Sequence, residues 1–124
     1  MTRAVTTVNS KELSQIAIQG IQEKKGKQIC CLNLKEIENA VSDYFVICQG
    51  DSNTQVNAIA ESVIKEVEEA TGDRPWQTEG FKNAEWILID YADVVIHVFQ
   101  KQAREFYNLE GLWADAEITT IEDE

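Results

Sequence analysis

Two features of this chain combine residue types and spacing that could do chemistry: the turn Gly50-Asp51-Ser52 and the carboxylates Asp90 and Asp93. A nucleotidyl-transferring enzyme uses a glycine-serine turn to approach a triphosphate and two strand carboxylates to hold magnesium ions. The spacing argues against that chemistry here. Side chains on one strand share a face at two-residue intervals, whereas Asp90 and Asp93 are three apart and straddle a turn. Asp51 also sets a negative charge where the phosphates would have to sit. The plainer reading is a helix cap at Ser52 and a hairpin turn ending at Asp93. His97 is the single histidine, so neither a histidine-based metal set nor a serine-histidine-aspartate relay with a spare ligand is available. On a strand, it shares a face with Val95 and Phe99 and reads as a hydrogen-bonded sheet residue. Cys30, Cys31 and Cys48 form no C-x-x-C pair, and all lie in apolar strand contexts, with no basic residue adjoining Cys48. No disulfide framework, metal site, cofactor or catalytic residue follows from these residues.

The elements that would position these residues are legible from periodicity. Asn9 or Ser10 caps a helix whose apolar positions Leu13, Ile16, Ala17 and Ile21 follow helical spacing. Lys24, Lys25 and Gly26 read as its C-terminus. A strand is expected over Gln28 to Leu34. Tyr44 to Cys48 is short and apolar throughout, the pattern of a strand buried on both faces. Ser52 and Gln55 form a capping box for a helix that sets Val56, Ile59, Ala60, Val63, Ile64 and Val67 on one stripe, pairs Glu61 with Lys65 on its solvent side, and stops at Thr71-Gly72. Arg74-Pro75 marks an edge or turn, with a short extended piece from Trp76 to Phe81. Trp86 to Ile89 and Val94 to Phe99 then make a tight hairpin through Asp90-Tyr91-Ala92-Asp93, and a helical segment follows. The hairpin strands are apolar at successive positions, so both sheet faces need cover. This order predicts a single α/β domain, a mixed sheet flanked by helices.

At 124 residues and 44% hydrophobic content, the chain is long enough for one core without staples. Its formal net charge of −11 argues against docking on nucleic-acid phosphates, which depends on basic side chains, and suits a basic protein partner. No stretch approaches the roughly 18 apolar residues of a membrane span, and the N-terminus lacks the apolar run of a signal peptide. A cytoplasmic protein is expected. Residues 1–8 read as a flexible arm, 9–116 as the domain and 117–124 as a loosely ordered acidic tail.

The stretch from Glu85 to Trp113, with its tight acidic turn, the run Val94 to Phe99 and the segment Arg104 to Trp113, closely resembles the Iojap-like ribosomal silencing factors. The resemblance extends back through Asp43 to Ile47 and Gly50 to Asn53, and so covers roughly Leu13 to Ala116. It implies a nucleotidyltransferase-like fold without the catalytic site. It also implies a non-enzymatic translational repressor that docks on a protein of the large ribosomal subunit, the fourteenth, at the intersubunit face, and so blocks joining of the small subunit.

Strand alternation points Trp86, Leu88 and Asp90 to one face and Ile87, Ile89 and Tyr91 to the other. A tryptophan and a leucine followed by a carboxylate resemble an interaction surface with an apolar centre and a charged rim. The resemblance implies that this sheet region makes the ribosomal-protein contact, so the binding role is carried onto Trp86, Asp90 and Tyr91, with Trp76 and Glu79 as further candidates. Tyr107 and Trp113 are read as packing. The chain departs from the family pattern in two places. Ala92 stands where the hairpin turn usually has glycine, which costs roughly 1–2 kcal/mol if that position needs a positive φ. Asp51 stands where threonine is usual. Two other functions fit the same residues: a divergent nucleotidyltransferase using Asp90 and Asp93, and a self-associating scaffold. Homodimerisation of the free protein is compatible with the repressor reading.

Overall fold

The computed structural model describes residues 8–123, and all statements below concern those residues. Apart from Val8, which packs half-buried against the core, the expected N-terminal arm lies outside them.

Helix α1 (Ser10–Glu23) begins at Asn9, whose side chain accepts from the Glu12 amide while the Glu12 carboxylate accepts from the Asn9 amide, a complete capping box. Beyond its end the left-handed residue is Lys25 (φ 59°), where glycine would be the usual choice. Gly26 has a different duty: a Cβ there would meet the Ile21 side chain at 2.2 Å, so glycine lets the chain turn tightly under the helix. Strand β1 (Lys27–Asn33) follows, bulged between Lys27 and Cys30 with Gln28 at φ 52°. Strand β2 (Tyr44–Gly50) is buried at every position but Gln49.

Helix α2 (Asn53–Thr71) is capped by Ser52, whose Oγ accepts from the Gln55 amide at 3.1 Å. The reciprocal bond of the expected capping box is displaced by one residue, because Gln55 Oε1 accepts from the Asp51 amide (2.7 Å). The helix ends at Gly72 in the left-handed conformation. On its solvent side Lys65 pairs with Glu69 (3.9 Å) in place of the expected Glu61. The chain then forms β3 (Gln77–Glu79), β4 (Trp86–Asp90), β5 (Val94–Gln100), the short helices α3 (Lys101–Tyr107) and α4 (Leu109–Leu112), and β6 (Glu117–Ile121).

The strands make one mixed six-stranded sheet in the order β3-β4-β5-β2-β1-β6. Only the central β2–β5 pair is parallel, joined through α2, while every other pair is antiparallel. Helices α1 and α2 cover one face over Val46, Cys48, Ile87, Ile89, Ile96 and Val98. Their own crossing is close, since a Cβ on Gly20 would stand 2.8 Å from the Val63 Cα, and Ser62 Oγ donates to the Gly20 carbonyl (2.7 Å). The opposite face packs Leu32, Phe45, Ile47, Val95 and Phe99 under Leu34, Leu109 and Ala116.

Two further expectations need correction. Residues 117–121 are not a loose tail: they pair with β1 from Ile29–Ile121 to Asn33–Glu117. Their side chains are largely exposed, so the ladder of backbone hydrogen bonds holds the segment more than apolar burial does. Nor are both hairpin strands covered on both faces. In β5 every residue from Val94 to Phe99 is buried, whereas β4 alternates, with Ile87 and Ile89 fully buried and Trp86, Leu88 and Asp90 only half-buried.

Candidate functional site

That half-covered face of β4 gathers most of the residues singled out by sequence. Pleating sets Trp86, Leu88 and Asp90 on one side. Antiparallel pairing brings Glu79 opposite Leu88 and Gln77 opposite Asp90, and on the inner flank it brings His97 opposite Leu88 and Phe99 opposite Trp86. The result is an apolar centre on Trp86 and Leu88 with Gln77, Glu79 and Asp90 at its rim.

Trp86 is held from several directions. Its ring stacks on Phe99 (centroids 5.0 Å apart, planes at 26°) and lies 4.5 Å from the Tyr107 ring. Its indole Nε1–H donates to His97 Nδ1 at 3.1 Å. That bond requires the neutral tautomer with its proton on Nε2. Nε2 is buried and has no hydrogen-bond partner among the described residues, and such an orphan costs about 1–3 kcal/mol. His97 is only 3% exposed. Burial pushes its pKa down to about 4, against a weaker upward pull from Asp90. The imidazole is therefore neutral at physiological pH. Phe45 meets it edge-on at 4.7 Å.

Asp90 is committed to the turn: its Oδ1 accepts from the Ala92 amide (2.7 Å) and its Oδ2 from Gln77 Nε2 (3.4 Å). Ala92 sits at φ 71°, so the turn does place a non-glycine residue in the left-handed region. Asp93 is exposed just before β5, where its carbonyl accepts from the Asp43 and Tyr44 amides. Among the described residues no group of three or more His, Cys, Asp and Glu side chains is arranged to hold a metal ion. At the other end of the sheet Asp51 pairs with Lys27 (3.1 Å) beside the Ser52 cap. The cysteines are held as thiols, since burial pushes Cys30 up to about 11 and Cys48 up to about 12.

The other candidates are dispersed. Tyr91 packs toward the α1–α2 side with its hydroxyl buried; burial first, then the nearby Asp73 and Glu68 carboxylates, raises its pKa. Trp76 is 83% exposed at the sheet edge, tied to β4 by its amide, which donates to the Asp90 carbonyl (2.7 Å). Trp113 is half-buried and meets Phe45 edge-on at 5.8 Å, as packing. Tyr107 packs on Trp86 as well but stays nearly half exposed. Sequence reasoning missed the exposed Phe106 (80%) beside it and Leu112 on α4, because short helices carry too few turns to reveal which face is free. It also missed the Trp86–His97 bond, although alternation along the two hairpin strands places both residues on one face.

Comparison with known proteins agrees with this architecture. The family model described as "Ribosomal silencing factor during starvation" matches residues 7–124. The ribosomal silencing factor RsfS of Halalkalibacterium halodurans is 43% identical over 115 residues, spanning 93% of this chain and 97% of that protein. The mouse protein named "mitochondrial assembly of ribosomal large subunit protein 1" is 28% identical over 75% of this chain and 41% of its own length. The crystal structure of a Chromobacterium violaceum protein superposes with a TM-score of 0.81 at 36% identity, covering 86% of this chain and 88% of that one.

Proposed function

The chain belongs to the family of ribosomal silencing factors, and on that premise we propose that it represses translation by docking on a protein of the large ribosomal subunit and sterically excluding the small subunit. Family membership is the observation that carries this reading. The half-covered face of β4 suggests where docking occurs, with Trp86 and Leu88 as the apolar centre and Asp90 and Glu79 around it, and the exposed Trp76 at the adjoining sheet edge as a further candidate. Tyr91 packs against the core on the other side of the sheet. The fourteenth large-subunit protein, implied by the resemblance, is the proposed partner, and the cytoplasm the proposed setting. A chain at −11 approaches a basic protein readily and is repelled by bare RNA phosphates. Occupancy of the joining face is sufficient for repression, so the mechanism requires no turnover. In the free protein the same open face is available to a second copy.

Sedimentation of the purified protein with separated ribosomal components tests the reading. It is expected to travel with large subunits, and with neither small subunits nor protein-free ribosomal RNA. Trp86→Glu, with its melting transition kept, should weaken the association by at least ~2 kcal/mol, about thirtyfold in dissociation constant. Equal retention by naked RNA at physiological salt would overturn the choice of partner. A folded Trp86→Glu protein that binds at wild-type strength would overturn the choice of face.

A further inference from the structure

We propose that His97 is a positioning residue for docking: by accepting the Trp86 indole N–H it fixes the orientation in which that ring meets the partner. The inference rests on the docking role proposed for Trp86. The contacts around the indole differ in what they restrain. Stacking on Phe99 and the contact with Tyr107 set the plane of the ring but leave it free to slide. The hydrogen bond to His97 Nδ1 lies at the ring edge and is directional, so it fixes rotation within that plane.

The cost on the histidine side points the same way. His97 is enclosed by Phe45, Trp86 and Phe99, where a leucine or phenylalanine would pack without leaving a buried nitrogen unpartnered. A group chosen for packing alone would be apolar there. What histidine adds is an acceptor on an aromatic body, directed at the one polar atom of the neighbouring tryptophan. A half-buried anchor whose orientation is set before contact loses less freedom on binding.

A purely structural histidine and a positioning one predict different results for four variants, each measured by thermal melting and by affinity for purified large subunits. His97→Leu removes the acceptor and the orphan nitrogen together; it is expected to melt at or near the wild-type temperature yet bind roughly five- to tenfold more weakly. His97→Asn, whose side-chain oxygen falls at the place of Nδ1, should recover most of that loss. Trp86→Phe, which removes the donor, should also weaken binding, and adding His97→Leu to it should cost nothing further. In the free wild-type protein the nitrogen shifts of His97 should report the Nε2–H tautomer, and the Trp86 indole proton should be protected from exchange. A folded His97→Leu that binds at wild-type strength, or losses that simply add in the double variant, would overturn the proposal. Should His97→Leu fail to fold, Trp86→Phe and His97→Asn decide: unchanged binding by folded Trp86→Phe overturns it, and so does a folded His97→Asn that keeps the indole bond and yet binds as weakly as Trp86→Phe. Trp86→Glu separates this inference from the docking reading. If that variant folds and still binds, the docking face is wrong; if it fails to bind while His97→Leu binds normally, only the positioning role falls.

Discussion

The two nitrogens of His97 have different fates, and the consequence is measurable in the free protein. Its folded pKa of about 4 lies below the ordinary value of 6.5, so between those values the unfolded chain takes up a proton that the native state refuses. The stability associated with the neutral ring is complete above pH 6.5 and is lost as pH falls toward 4. Urea melts across that window should show wild type losing stability faster than His97→Leu, and parallel curves would contradict the burial assigned to the ring. Ala92 offers a second test at this scale. At φ 71° it sits where an L side chain is strained, so Ala92→Gly should stabilise the domain by about 1 kcal/mol in chemical denaturation. The strain was legible only through the family resemblance, in which glycine is usual at this position of the turn. The Trp86–His97 bond was not, since it depends on the register between two strands, and register is set by the whole sheet.

Among the elements, the β3–β4 connection governs where Trp86 is presented. Gly80 has φ 93°, and a Cβ on it would stand 1.9 Å from the Trp86 carbonyl oxygen. Gly80→Ala should therefore destabilise the fold by roughly 2 kcal/mol or more and weaken docking in parallel, because relief of the clash must move the Trp86 backbone. Unchanged denaturation would mean that the turn has room the structure does not show. At this scale the long helices were legible from their 3.6-residue stripes and caps, and β2 and β5 from unbroken apolar runs. Strand β6 was not: Glu117 to Ile121 buries almost no apolar side chain, and its pairing with β1, almost ninety residues earlier, leaves no local pattern. The candidate site was half legible for a related reason. Alternation placed Trp86 and Asp90 on one face and Tyr91 on the other, but the incomplete cover over that face follows from the brevity of α3 and α4. Packing between elements decided what a one-dimensional pattern could not.

As a whole molecule, an acidic domain with one well-covered sheet face is proposed to use the other, at its β4 end, to reach a basic partner, its bulk then doing the repressing. Among the described residues no helix is long and apolar enough to cross a membrane. Raising the ionic strength should slow association, which the acidic surface steers, and leave dissociation, set by Trp86 and Leu88, nearly unchanged, as stopped-flow kinetics would read. The most direct measurement is subunit joining itself. Purified large subunits are incubated with the protein, small subunits are added, and the fraction of joined ribosomes is resolved on a sucrose gradient. Joining is expected to fall as large subunits become occupied, to reach its minimum near one protein per large subunit, and to be restored with folded Trp86→Glu in proportion to its lost binding. Full joining on large subunits that demonstrably carry the bound protein would contradict it.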